Sequence, residues 1–189
     1  MCPLPRPPLV ASTSTLVLVS SPSVVTPVPD GVSSVVPGPV EPPGVRFATF
    51  NAALSRPRAG MLVEELAVPG SEQASNIAEI IQRVRPHVLL INEFDHDEAE
   101  TGPRLFQDNY LSVGRRGAEA IEYPYVYTAP VNTGVASGVD LDGDGEAVTE
   151  PGSPAYAADA LGYGLFPGQY GMVVYSMYPI DTERVRTFR

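Results

Sequence analysis

The stretch "HVLLINEFDHDE", His87 to Glu98, sets an apolar run directly against a run of acids. Val88, Leu89, Leu90 and Ile91 give way to Asn92, and Glu93, Asp95, Asp97 and Glu98 follow. Carboxylate oxygens are hard ligands that suit Mg²⁺ or Mn²⁺. In α/β sheets, ligands sit beyond the carboxyl ends of the strands. Glu93 stands just past the end of such a run, where a carboxylate is held rigidly enough to ligate a metal. Asn51, which closes "VRFATFN", occupies the same kind of place. Its amide can orient a carboxylate or a phosphate oxygen without adding charge. The alternative is a solvated turn, because acids cluster in loops after strands for local hydrogen-bonding reasons.

A second acidic pattern lies in "DLDGDGE", with Asp140, Asp142 and Asp144 at alternate positions and Gly145 next. That is the first half of a Ca²⁺ loop, with oxygens at positions one, three and five before a glycine turn. The twelfth position is Pro151 rather than Glu, so the EF-hand pattern is incomplete. One reading is a flexible acidic turn. The other is a structural Ca²⁺ site that orders a long loop, since loops of this length are functional or disordered.

The elements that must position these groups begin at Val45. "VRFATFN" alternates with period two and predicts a strand over Val45–Asn51. In "SEQASNIAEIIQRVRP", Ile77, Ile80, Ile81 and Val84 fall at helical spacing, Ser71 is the N-cap and Pro86 the stop. "HVLLIN" reads as a central strand buried on both faces. Strand, helix, strand argues for an α/β domain. Asn132 to Gly162 reads as a long loop, "YGMVVYSMYPI" as a strand, and "TERVRTFR" as the start of another. Upstream, residues 1–44 hold eleven of the 21 prolines, and no helix or strand period survives them. They read as a disordered tail, a linker, or a stretch ahead of the true translation start.

Bulk composition narrows the partners. A chain of 189 residues with 43% hydrophobic content can form one packed domain. Its formal charge is −10, from 12 basic and 22 acidic groups, and every basic residue is an arginine. Such a balance disfavours tight non-specific nucleic-acid binding, which needs clustered cations to displace counterions. It suits a divalent cation that supplies positive charge at a phosphate. Arg115-Arg116 is the one local basic spot and reads as a solvated turn. Cys2 stands alone, so no intrachain disulfide forms. No segment is long and apolar enough to span a bilayer. "LVASTSTLVLV", Leu9 to Val19, makes a poor signal peptide, with only Arg6 before it and no clear small-x-small site.

"TFNAAL" at Thr49 to Leu54, "RPHVLLINEFD" at Arg85 to Asp95 and "GQYGMVVYSMYPI" at Gly168 to Ile180 occur in the order and at about the distances of one family. Together they resemble the endonuclease/exonuclease/phosphatase (DNase I-like) superfamily of metal-dependent phosphoesterases, and most closely its secreted bacterial branch. The resemblance covers Val45 to Arg189. It implies the first half of a four-layer DNase I-like α/β sandwich and an extracellular setting. It assigns Asn51 to phosphate and catalytic-group positioning and Glu93 to the metal, Mg²⁺ or Mn²⁺. Ser176, Tyr178, Pro179 and Ile180 match a structural strand end. Related members carry a similar Asp-Gly-rich insertion near Asp140 to Glu146, which favours an organised loop.

Departures accompany the match. His87 replaces the usual Asp after Pro, and Phe166 replaces a more usual aromatic or basic residue before Pro167. Tyr175 and Met177 replace a Leu and a basic residue, which removes a cation near the phosphate. The family's G-D-x-N motif and its terminal Asp-His pair have no match, and His96 reads as a loop residue.

The first functional expectation is therefore a divalent-metal-dependent phosphodiester or phosphomonoester hydrolase, inactive or incomplete in this length of chain. Its substrate is a small or lipid phosphoester rather than long duplex DNA. The second is a calcium-organised, non-catalytic extracellular binding module built on Asp140 to Asp144 and "YPYVYTAP". The third is an incomplete gene product with no function of its own.

Overall fold

The computed structural model describes residues 16–19 and 44–187, with side-chain detail from 44 onward. The long helix forms as its periodicity requires. Ser71 caps it, its hydroxyl accepting the Ala74 N–H at 3.3 Å. The helix, α2, runs Glu72–Val84 and ends where Arg85 turns left-handed ahead of Pro86. A shorter helix, α1 (Met61–Leu66), precedes it.

These two helices connect parallel strands β2 (Phe47–Leu54) and β3 (Val88–Phe94), since a parallel pair needs a crossover. β5 (Met172–Ser176) runs antiparallel to β3, and β4 (Tyr125–Thr128) antiparallel to β5. These four strands form the body of a mixed sheet. A fifth, β1 (Leu16–Val19), joins its edge antiparallel to β2, giving the order β1-β2-β3-β5-β4. Leu16–Val19 thus departs from the irregular segment expected over 1–44. Its "LVLV" supplies a short β-prone run free of proline, which an open sheet edge can pair. The rest of 1–43 lies outside the described residues.

Among the described residues, helices cover one face only. Ala48, Phe50, Ala52 and Leu54 of β2, Leu89 and Ile91 of β3, and Val173 and Tyr175 of β5 point into a core with Ile77 and Ile81 of α2. α3 (Thr101–Phe106) and the π-turn that continues it, Gln107–Leu111, close the far side with Phe106, Tyr110 and Leu111. Three buried phenols each donate to a backbone carbonyl: Tyr110 to Val68 at 3.0 Å, Tyr123 to Pro86 at 2.8 Å and Tyr175 to Pro103 at 2.7 Å. A buried tyrosine needs such a partner.

On the opposite face Val88, Leu90 and Val174 are half-exposed, and Met172 is exposed. β3 is therefore buried on one face, not two. A run of four apolar residues does not reveal whether both its faces are covered. The result is one sheet under one helical layer, a partial DNase I-like arrangement.

Two other expectations change. Asn132 to Gly162 contains α4 (Pro154–Asp159), capped by Ser153. Bridges Thr133↔Gly162 and Ala136↔Ala160 close its ends together, so the segment is an organised excursion rather than a plain loop. "TERVRTFR" opens as a 3₁₀ turn, Thr182–Arg184, instead of a strand.

One-sided burial gives a direct contrast. Leu89→Ala should cost about 2–5 kcal/mol, the usual penalty for a fully buried leucine. Leu90→Ala should cost much less. Urea denaturation of the two variants reads the difference, and equal losses would contradict a single covered face.

Candidate metal and phosphate site

Strict alternation would turn Glu93 toward the core. The pattern along β3 is half-buried Val88, buried Leu89, half-buried Leu90, buried Ile91, half-buried Asn92. Glu93 escapes because its backbone is left-handed, φ 56°, so Glu93 stays half-exposed and Phe94 returns to the core. β2 carries the matching irregularity, an extra residue between Asn51 and Leu54, with Ala53 at φ 49°. β-bulges of this kind re-aim side chains at sheet rims.

The two expected residues meet there. The Asn51 amide Nδ2 donates to Glu93 Oε1 at 2.7 Å, and Asn51 Oδ1 accepts the Ala53 N–H at 3.1 Å. The amide orientation is thereby fixed, and one Glu93 oxygen is left for another partner. Asn92 stands in register with Asn51, and its Nδ2 donates to Thr49 Oγ1 at 2.9 Å. Thr49, Asn51, Asn92 and Glu93 form a polar strip on the open face. Asn92 and Thr49 were not singled out as site residues from sequence. Asn92 was legible only as the end of an apolar run.

The remaining acids of the opening cluster do different work. Asp95 is buried and ties two loops together, accepting the Arg56 N–H at 2.7 Å and the Tyr170 N–H at 3.2 Å. Burial pushes its carboxyl up to about 6, against the opposing pull of those two hydrogen bonds and the Arg56 charge. Asp97 caps α3, accepting the N–H groups of Thr101 at 2.8 Å and Gly102 at 2.9 Å. Glu98 is exposed. Glu93 is thus the member of the cluster at the sheet rim with an oxygen to spare. This suits a water-rich Mg²⁺ site, because that ion keeps several waters and takes one or two carboxylates.

The Gly168–Gly171 segment packs tightly against this strand end. A Cβ at Gly171 would lie 2.8 Å from the Phe94 carbonyl oxygen, and one at Gly168, φ 92°, would lie 2.9 Å from that of His96. Gln169 is buried, with Nε2 donating to the Arg56 carbonyl at 2.7 Å. Tyr170 is left-handed at φ 58° and lines a hollow of about 490 Å³ with Leu90, Tyr127, Met172 and Val174. Its phenol is pushed up by burial first, then by Tyr163 and the charges of Glu93 and Asp95. Tyr170 is a neighbour of the site that sequence reasoning treated only as part of a motif.

The arginines are engaged elsewhere. Arg56 makes a two-pronged pair with Glu65 at 2.6 and 2.9 Å, and Arg58, Arg83, Arg104, Arg116 and Arg184 pair with acids. Arg46, Arg85 and Arg115 donate to backbone carbonyls. Arg186 lines the hollow and, among the described residues, has no such partner.

In the second cluster the structure gathers Asp140 and Asp142 with Asp159 of α4, one oxygen from each lying within 4.8 Å of the others. Asp144, expected as the third ligand, is absent from this group and accepts the Glu146 N–H at 2.9 Å. Asp159 lies 15 residues beyond Asp144, so a loop pattern could not identify it. It is buried and accepts the N–H groups of Leu141 at 2.7 Å and Val148 at 2.8 Å. Hydrogen bonds from Val148 and Leu141 hold its carboxyl below the usual carboxylate range.

A model of a family described as the endonuclease/exonuclease/phosphatase family matches residues 48–189. No curated protein and no solved structure shows significant similarity.

Asp95 supplies a pH test. Its folded carboxyl titrates near 6, above its ordinary value of 3.8, so between those values the folded state binds more protons than the unfolded state. This group's contribution therefore falls as pH rises from about 4 to 6, by on the order of 1–3 kcal/mol. Urea denaturation of the natural chain and Asp95→Asn across that range should show the natural chain losing stability relative to the variant. A constant difference would refute the raised value.

Proposed function

Because the chain belongs to the endonuclease/exonuclease/phosphatase family, whose enzymes hydrolyse phosphoester bonds, we propose that it binds a phosphoester at the Asn51–Glu93 rim with a divalent metal, Mg²⁺ or Mn²⁺. The observation that carries this is the Asn51 Nδ2 to Glu93 Oε1 hydrogen bond of 2.7 Å at two kinked strand ends. Glu93 would hold the metal through its spare oxygen. When bound, a metal there polarises a phosphoryl oxygen and stabilises charge developing on it. Asn51 fixes the carboxylate that does the holding. Tyr170, Leu90, Met172 and Val174 line a hollow on the same face of the sheet.

The substrate is a small or lipid phosphoester rather than duplex nucleic acid. Ion pairs and carbonyl bonds already occupy nearly every described arginine, so no basic track follows a nucleic-acid backbone. Turnover by the 189 residues is slow. His87 Nδ1 accepts the Arg46 backbone N–H at 2.8 Å and His96 Nδ1 meets Thr128 Oγ1 at 3.1 Å, and among the described residues neither ring bonds to Asn51 or Glu93. Lack of a general base typically forfeits about 10²–10⁴-fold.

Isothermal titration of the full chain should show Mg²⁺ binding that Glu93→Gln removes. Cleavage of bis(4-nitrophenyl) phosphate should stay near background for both proteins. Robust Mg²⁺-dependent turnover that vanishes in Glu93→Gln would overturn the slow-turnover reading. Absence of metal binding would overturn the site.

We propose further that Asp140, Asp142 and Asp159 hold a Ca²⁺ that fastens the Asp140–Asp142 turn to α4 within the 132–162 excursion. Ca²⁺ at about 100 times its dissociation constant would stabilise the fold by about 2.7 kcal/mol. Thermal unfolding with Ca²⁺ against chelator should show that gain in the natural chain and its loss in Asp159→Asn. The same melting temperature in both conditions would exclude the site.

A further inference from the structure

His96 sits three residues past Glu93, on a backbone fixed by its N–H to the Gly168 carbonyl at 2.9 Å. Its Nδ1 lies 3.1 Å from Thr128 Oγ1. That hydroxyl has one proton, and it is already committed, because Thr128 Oγ1 is 2.9 Å from the Met172 carbonyl, which can only accept. Thr128 must therefore accept from His96, so Nδ1 carries the proton. The neutral ring is left with a bare acceptor at Nε2. Among the described residues Nε2 has no partner, and it is not among the buried unpartnered atoms, so it is open to solvent.

The ring lines a hollow of about 300 Å³ with Glu98, Pro130, Val131, Asn132 and Leu161. Among the described residues, no arginine lines it. Its polar groups are acceptors at Nε2 and the Glu98 carboxylate, with the Asn132 amide, against apolar walls. A phosphate would meet repulsion there. A compact group rich in hydroxyl donors would find acceptors and an apolar surface. This hollow shares Pro130, Val131 and Asn132 with the larger one that Tyr170 lines.

We propose that His96, locked as the Nδ1–H tautomer with Thr128 as its positioning residue, selects a compact polyol as the alcohol portion of the phosphoester. The phosphate end of this assignment rests on the phosphoesterase reading above; the tautomer and the polyol hollow do not.

The test is ¹⁵N NMR of the imidazoles in the full chain. Neutral His96 should show a pyrrole-type Nδ1 and a pyridine-type Nε2, and Thr128→Val should admit the opposite tautomer. With Mg²⁺ present, glycerol phosphate should shift His96 Nε2, whereas propyl phosphate, which lacks the hydroxyls, should not. His96→Phe should weaken glycerol phosphate several-fold, to the propyl phosphate level. An Nε2–H tautomer in the natural chain, or an equal response to both phosphates, overturns the proposal. The Asn51 side-chain amide reports the other end. If it ignores both phosphates while His96 discriminates between them, the phosphoesterase reading fails and the polyol hollow stands. If it responds while His96 does not, the polyol hollow fails instead.

Discussion

The left-handed turn at Glu93 is the constraint on which the rim depends. With ideal alternation this carboxylate would enter an apolar core, where an unpaired charge is costly. Turning the backbone costs on the order of 1–3 kcal/mol for a residue other than glycine. The surroundings hold the turn in place: Phe94 donates to the Gly171 carbonyl at 3.0 Å, and Asp95 to the Leu54 carbonyl at 3.1 Å. Phe94 then packs edge-on against Phe106 at 6.1 Å, so the core benefits from the same kink that exposes the acid. Asn51 sits on the adjacent bulged strand and steadies the exposed group. Ala53 and Tyr170 share the left-handed conformation, so three chain segments at one rim store backbone strain together.

The acids beside that turn divide the labour by depth. Asp95, buried, joins Arg56 to Tyr170 and so couples the strand ends to the Gly168–Gly171 segment. Asp97, at intermediate depth, satisfies two orphan donors at the start of α3. Glu93 remains free to act outward. Three carboxylates of similar chemistry thus acquire distinct roles from the donors that reach them. Arg56 follows the same logic: its pair with Glu65, itself bonded by Ser71 at 2.5 Å, makes it a brace between β2 and α2. Hydrogen bonds from Arg56 and from that hydroxyl, with the Arg56 charge, hold Glu65 below the usual carboxylate range against the opposing effect of burial.

One-sided coverage of the sheet shapes the rest of the surface. The open face carries polar Thr49, Asn51 and Asn92 at one end and apolar Leu90, Val174 and Met172 towards β5. A phosphoester bound at the rim therefore meets a polar strip and an apolar wall side by side. Nearly every described arginine is engaged in an ion pair or a carbonyl bond, in a chain whose formal charge is −10.

Sequence by itself located β2, α2, β3 and β5 and the two residues at the rim. The period of "NIAEIIQRV", the Ser71 cap and the Pro86 stop are local properties of the chain, and they set α2. Asn51 and Glu93 were legible because each follows a strand-like run, and strand ends are where such folds place their chemistry. What lies across the chain was decided only by tertiary structure. That β3 is covered on one face depends on which elements pack against it, and four consecutive apolar residues look alike in either case. That Asp159 rather than Asp144 joins Asp140 and Asp142 depends on α4 folding back across the excursion. His96 reads as a loop residue and lies in the loop after β3, but its contact with Thr128, 32 positions away, exists only once β4 has paired with β5.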